Sequence, residues 1–323
     1  MRRGSLISLC KRLAYLGAVL LGISVITFGL FALAPGDPAE IILRDRQEAP
    51  SAESIAKLRQ ELGLNDPLPL RYSRWLTKVL QGDLGQSWQT GEAVVDQLLN
   101  RLAATLELAL ATLVFVVLLS TLLGVLGAIF RGRLADRLLR AVSILSLSLP
   151  NFWLGLLLIM LFALHWHWLP LMGRGGPAHL IMPVLTLGLA VAAMQGRVLR
   201  ASLLEVISQD YVRFAYAKGL SSWSVLKRHL MRNALPPVLT MWGISLGHLL
   251  GGAVIVETIF SWPGLGKLAV DAVLARDIPL VQGSVLFMAL VFVLANQLTD
   301  LVHRCLDPRL RRGLASDAGD RLA

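Results

Sequence analysis

The sequence is poor in charge and in cysteine, and each shortage narrows what the chain can be. Only 16% of its 323 residues are charged, against about 25% in a soluble domain. Hydrophobic residues make up 55%, and the mean hydropathy is +0.64. Long charge-free runs alternate with basic clusters, the pattern of an integral membrane protein rather than of a large soluble core. The two cysteines, Cys10 and Cys305, stand at opposite ends with no metal-type spacing. Both are expected reduced on the cytosolic side, with no disulfide. No H-E-x-x-H, nucleophile elbow or Walker motif is present. Gly264-Leu265-Gly266-Lys267 misses the phosphate-loop pattern: Ser261 stands where that loop needs Gly, and Leu268 where it needs Ser or Thr. No pair of inverted halves is visible either, which weakens a secondary-transporter reading.

What is present is basic charge beside apolar runs. The net charge of +10 would suit nucleic acid, but the Arg and Lys flank apolar stretches as topology signals do. Six spans are expected, over residues 13–34, 108–130, 141–164, 182–195, 238–260 and 280–298. Arg2, Arg3, Lys11 and Arg12 precede the first, and Arg131, Arg133, Arg137 and Arg140 follow the second. Arg197 and Arg200 end the fourth, and Arg304, Arg309, Arg311 and Arg312 follow the sixth. One arrangement, with both termini inside, keeps every such cluster cytosolic. An Arg or Lys at the bilayer centre costs roughly 2.5–3.5 kcal/mol, so the inverted arrangement is heavily disfavoured. The first run is long enough to span and exceeds a signal-peptide core of about 7–15 residues. Ala32-Leu33-Ala34 mimics a cleavage site, so cleavage is kept as the second reading.

The expected organisation has four parts. Residues 1–34 are the N-terminus and first span, and 35–101 a helical insertion at the outer face. Residues 102–305 are the membrane core, and 306–323 a cytosolic tail whose last dozen residues are expected disordered. In the insertion, Ser51 can cap a short helix that Gly63 ends. Tyr72, Trp75, Leu76 and Val79 form a second amphipathic stripe, and Val94 and Leu98 hint at a third. These stripes read as a small core rather than a ligand site.

Several intramembrane residues invite two readings. Pro150-Asn151 interrupts the third span, and neighbouring helices can satisfy the carbonyl that Pro frees. Asn151 is either a packing hydrogen bond or a cavity-lining group. Gly243, Gly247 and Gly251 recur every fourth residue, a ladder that lets helix backbones approach closely, within the chain or against another. His248 lies near mid-membrane, where ionisable groups are functional candidates by default. With Asn151 and Gln195 it is a candidate for a translocation path. Glu257 reads as interfacial. His165 and His167 would share a strand face and are weak metal candidates; an aromatic belt with polar neighbours is the blander alternative.

The most informative stretch is 202–237, a charged segment between the fourth and fifth spans. Leu203, Ile207, Tyr211 and Phe214 recur at helical spacing, which predicts a helix ended by Gly219 in a left-handed cap. Ser221 or Ser222 can cap a second helix, carrying Lys227, Arg228 and Arg232, which Pro236-Pro237 closes. The expected product is a helix–turn–helix on the membrane surface with a basic exterior, suited to docking a soluble partner.

The run Asp210-Tyr211-Val212-Arg213-Phe214-Ala215-Tyr216-Ala217-Lys218-Gly219-Leu220, followed by Arg228-His229-Leu230-Met231-Arg232-Asn233-Ala234-Leu235-Pro236, resembles the EAA-type coupling loop of ABC importer permeases. Arg213 and Phe214 stand where many permeases have Glu and Ala, while Ala215 and Gly219 hold. Gly36-Asp37-Pro38-Ala39, Pro150-Asn151-Phe152-Trp153, Trp262-Pro263-Gly264-Leu265-Gly266 and Leu306-Asp307-Pro308-Arg309 extend the resemblance to the peptide/nickel class, and to its first permease subunit. The resemblance implies an all-α type I importer fold of six transmembrane helices in the inner membrane, with no cofactor bound by this chain. It implies a second homologous permease, two cytosolic ATPase subunits that use ATP, and a periplasmic solute-binding protein. It places Tyr211, Arg213, Phe214, Ala215, Ala217, Lys218 and Gly219 at the ATPase contact. Nickel, a metal chelate or short peptides are the implied substrates, and Trp168-Leu169-Pro170-Leu171-Met172-Gly173 leans towards nickel-type members. Half of an exporter and a non-transport scaffold remain as alternatives.

Overall fold

The computed structural model describes residues 2–33, 37–45 and 51–306. Among them the chain is helical, with one isolated bridge between Gln86 and Ala93. The tail beyond 306 and the Ala34-Pro35-Gly36 break lie outside the described residues. The helices are α1 (Arg2–Ala32), α2 (Pro38–Asp45), α3 (Ala52–Glu61), α4 (Leu68–Leu80), α5 (Val94–Ile129), α6 (Leu134–Ser148) and α7 (Asn151–Leu158). A π-helical turn, Ile159–His165, extends α7. Then come α8 (Pro177–Ile207), α9 (Asp210–Ala217), α10 (Ser222–Val225), α11 (Met231–Ala234), α12 (Pro236–Ile259), α13 (Leu265–Leu274) and α14 (Ile278–Leu306).

Four stretches are long and apolar enough to cross a membrane: Ala14–Ala32, Val94–Ile129, Pro177–Ile207 and Ile278–Thr299. Two bent pairs, α6 with α7 and the two parts of α12, bring the count to six if each pair is one span. The 36 residues of α5 rise about 54 Å, well beyond a hydrocarbon core of about 30 Å. The separate stripe expected at Val94 and Leu98 is therefore the first turns of the second span. No Gly or Pro occurs from Val94 to Leu123, so no strong breaker stops the helix there.

The third span is broken where Pro150-Asn151 stands. The interruption is a sharp one: the arms, α6 and α7, diverge by 105°. Pro150 disfavours helical backbone in the residue before it. Leu149 (ψ 126°) and Pro150 (ψ 137°) are accordingly both extended, which separates two helices.

The chain divides into two compact units. The first comprises residues 1–104 and 263–293. Its core joins Val94 and Leu98 of α5 to Leu265, Leu268 and Ala272 of α13 and to Leu280 and Val281 of α14. Asp277, almost fully buried, accepts from the backbone N–H groups of Trp88 (3.2 Å), Gln89 (3.4 Å) and Leu280 (3.3 Å) and from the Ser87 hydroxyl. One carboxylate thus ties the 83–93 turn to the start of α14. Ser51 caps α3 with a reciprocal Ser54 bond, and Gly63 follows at φ +64°. The α4 stripe meets α1: Tyr72 and Trp75 pack on Phe28, and the Tyr72 and Ser24 hydroxyls share a hydrogen bond.

The second unit comprises residues 105–262 and those from 294 onward. Within it α5 and α8 cross closely. A Cβ on Gly188 would sit 2.6 Å from the Phe115 ring, on Gly196 2.9 Å from Leu123, and on Gly124 2.7 Å from Leu199. These glycines set the helix separation. Glu257, expected at the interface with water, is fully buried and accepts from Thr105 Oγ1 at 2.7 Å. Burial of a carboxyl demands such partners, and the sequence held no sign of Thr105 beside it.

Candidate functional site

The 202–237 segment folds as two helical pieces against the ends of α8 and α12, but not with the expected register. α8 runs through Ile207 and stops; the Ser208 hydroxyl bonds back to the Glu205 carbonyl at 2.6 Å. Gln209 is extended (ψ 145°), and α9 begins afresh at Asp210. The helical phase therefore restarts. Leu203 is buried, while Tyr211 and Phe214, expected on the same face, are exposed. Val212 and Ala215 are buried in their place. They join Leu199 and Leu203 of α8, Val225 of α10, Leu230, Ala234 of α11 and Val238 of α12 in one apolar cluster.

That burial leaves Tyr211, Arg213, Phe214, Tyr216, Ala217 and Lys218 turned outward. Phe214 is 60% exposed, and the Lys218 ammonium lies 4.5 Å from its ring centroid, within cation–π range. Arg213 makes only a loose, solvated pair with Asp210 at 3.7 Å. Gly219 sits at φ +79° with nothing near a notional Cβ, so its requirement is conformational rather than steric. Ser221 then caps α10, accepting from the Ser224 N–H. The second helix is interrupted by a π turn, Leu226–Leu230, before α11. The Asn233 carboxamide donates to the Tyr211 hydroxyl (3.1 Å) and to the His229 carbonyl (2.8 Å), joining the two pieces.

The base of this segment is pinned by a pair that the sequence did not announce. Arg200, near the end of α8, holds Asp136 of α6, which is 1% exposed and also accepts from the Gly132 N–H at 3.0 Å. Arg200 read only as a topology signal, because an Asp 64 residues away carries no periodicity that marks it as a partner.

The path candidates separate. Gln195 is buried between α8 and α12, donating to Ser245 Oγ (2.6 Å) and weakly to the Met241 carbonyl (3.4 Å). Its Oε1 has no partner among the described residues. Asn151 is exposed at the start of α7. His248 is exposed on α12, on one stripe with Ile244, Gly251, Ile255 and Thr258. The glycine ladder is thereby split. Gly243 O accepts from Thr299 of α14 (3.1 Å) and Gly247 is buried, whereas Gly251 faces open space.

His165 ends the π turn and His167 is left-handed (φ 54°), so the strand alternation that would align them is absent. The surrounding aromatics form a ladder instead, Trp166 stacking on Trp168 at 4.8 Å beside Phe162. Among the described residues no three His, Cys, Asp or Glu side chains converge on one point.

Residues 120–312 match the model of the binding-protein-dependent transport system inner membrane component, and residues 6–109 match the N-terminal part of such membrane components. The chain belongs to this family. It is 41% identical over 301 residues to the glutathione transport system permease protein GsiC of Salmonella paratyphi A, covering 93% of this chain and 97% of the relative. The corresponding proteins of Salmonella typhimurium and Escherichia coli are 40% identical over the same length. In fold it is similar to chains of the inward-facing MetNI methionine ABC transporter. These give TM-scores of 0.52 and 0.55 at 19% and 21% identity, over 65% of this chain and 96% of theirs. The family member is thus a multi-pass inner-membrane permease subunit of an ABC importer, a transport component and not an enzyme.

Proposed function

We propose that this permease forms half of a translocation pathway for glutathione or a similar short peptide, and that α9 is the lever by which a separate ATPase moves it. The observation that carries the lever is the split of α9 into two faces. Val212 and Ala215 are locked into a cluster shared with α8 and α12, while Tyr211, Arg213, Phe214, Ala217 and Lys218 face outward. A push on the outer face is transmitted to both spans through packed side chains, and packed cores move between discrete arrangements. Gly219 fixes the angle between the two pieces. In this reading both termini and the lever are cytosolic, as the Arg and Lys clusters require. ATP is bound by two ATPase subunits, and a periplasmic binding protein delivers the solute. The exposed α12 stripe with His248 and Gly251 faces the second permease and the path between them. Asn151 and Gln195 are the further path candidates.

The peptide-class substrate is supported by relatives, named as glutathione permeases, that match over nearly their whole length. Nickel or a metal chelate, towards which the sequence leans, draws no support from them. Uptake of labelled glutathione, a dipeptide and Ni²⁺ by cells carrying this chain with its co-encoded subunits tests the reading. Glutathione or peptide uptake that requires this chain is the expected result; uptake of Ni²⁺ alone overturns the substrate.

A further inference from the structure

The apolar side of α4 is left largely uncovered. Tyr72 and Trp75 pack on Phe28 of α1, with ring centroids 5.3 and 5.8 Å away. At 3.6 residues per turn, this contact lies between two flanks of the helix. Leu76 and Leu80 form one, and Arg71, Arg74 and Lys78 form the other. No residue of α4 is buried, and Leu80 is 79% exposed. A helix with Trp and Leu on one side and Arg and Lys on the other has the make-up of one that lies in a membrane interface.

The contact with α1 points to what covers the open flank. The apolar stretch Ala14–Ala32 has 19 residues, a rise of about 28 Å, no more than a hydrocarbon core of about 30 Å. A span so short has its middle in hydrocarbon wherever its ends come to rest. Phe28 stands four residues before Ala32 and Ser24 eight, about 6 and 12 Å along the axis. Ser24 is buried, and its hydroxyl shares a 2.8 Å hydrogen bond with that of Tyr72, a partner that a polar group away from water requires. α4 is therefore docked beside the apolar stretch and not above its end. Leu21 and Val25, within one turn of Ser24, are each 52% exposed, so the open side of α4 continues an apolar surface of a spanning helix. A water-soluble partner does not reach that level.

We propose that α4 is an interfacial helix. Its Leu76–Leu80 flank lies among acyl chains, in the leaflet at the C-terminal end of α1. Arg71, Arg74 and Lys78 lie on the head-group side, where Arg and Lys stems can follow apolar surface while their charges stay solvated. Arg74 is also paired with Asp66 of the preceding turn. The segment between α1 and α5 is thereby held to the bilayer through α4 as well as through its two ends. Which side of the membrane is cytosolic does not bear on this placement; only the crossing of α1 does.

The test uses the full-length chain with Cys10→Ser and Cys305→Ser, carrying one introduced cysteine bearing a nitroxide. The chain is reconstituted in vesicles of phosphatidylethanolamine and phosphatidylglycerol. Collision of the nitroxide with oxygen, which concentrates among acyl chains, is compared with collision with a polar nickel chelate, which stays in water. Leu80→Cys should show an oxygen-to-chelate ratio severalfold above that of Lys78→Cys, on the opposite flank of the same turn. Both side chains are exposed, so folding is unaffected on the usual expectation for surface changes. Equal ratios, or frequent chelate collision at Leu80→Cys, would put α4 in water and overturn the proposal. Rare collision with both reagents there would mean that protein covers the flank, which overturns it too. So would a ratio at Leu80→Cys that collapses once the co-encoded subunits are reconstituted with the chain, because the flank would then belong to one of them.

Discussion

Arg200 grips Asp136 with two nitrogens, Nε on one carboxylate oxygen and Nη2 on the other, each at 2.9 Å. The same Nε reaches the Gly127 carbonyl at 3.1 Å. Asp136 is almost fully buried and Arg200 partly so. Removing one partner strands the other, and for buried pairs this costs roughly 3–5 kcal/mol. Water reaches Arg200, so Asp136→Asn should fall at the lower end. The expected outcome is a clear drop in the melting temperature of the detergent-solubilised chain. The joint change Asp136→Leu with Arg200→Leu should recover part of it, since no buried charge is then left unpaired; Arg140, which approaches Asp136 at 3.5 Å, is half exposed and stays solvated. An unchanged melting temperature in Asp136→Asn would show that the pair pins nothing.

Gly219→Val should abolish uptake while leaving membrane insertion intact. The backbone there is left-handed at φ +79°, a conformation that costs an ordinary residue about 1–2 kcal/mol, and a β-branched one more. Since no atom lies near a notional Cβ, the loss comes from re-angling the two helical pieces and not from a clash. Gly219→Asn, which tolerates the left-handed region, should retain much of the transport. Wild-type uptake by the Val variant would remove Gly219 from the coupling role.

The sequence made the spans and the coupling segment legible because both are written in local patterns: apolar length, flanking cations, a capping Ser, a Gly at a forced turn. It misplaced the faces of the 202–237 segment because one break, at Ser208-Gln209, resets helical phase, and Ser and Gln give no strong stop signal. It missed Asp136 with Arg200 and Thr105 with Glu257 because these pairs join residues 64 and 152 positions apart. The third span read as interrupted at Pro150-Asn151 but without its 105° bend, because Pro inside an apolar run signals interruption and not angle. The glycines that set helix separation proved to be Gly124, Gly188 and Gly196, scattered along α5 and α8, whereas Gly251 of the α12 ladder meets nothing within 4 Å.

That difference separates two kinds of glycine. Gly196→Leu should destabilise the isolated chain, because its Cβ meets Leu123 at 2.9 Å and the Ser120 backbone at 3.1 Å; overpacking typically costs 1–3 kcal/mol. Gly251→Leu should leave the isolated chain's melting temperature unchanged, because nothing lies within 4 Å. It should instead reduce co-purification of the second permease, if α12 meets that subunit along the His248 stripe. Equal co-purification would remove that stripe from the interface.

The sidedness of the lever is testable with one thiol. Ser222 is exposed at the start of α10, and replacing Cys10 and Cys305 by Ser leaves no other reactive sulfur. Ser222→Cys should react with a membrane-impermeant maleimide in inside-out vesicles and stay unlabelled in right-side-out ones. The physical basis is the cost of placing Lys and Arg on the wrong side: flanking clusters at the ends of four spans would have to cross together. Labelling only from the periplasmic side would reverse every span and detach α9 from any ATP-driven partner.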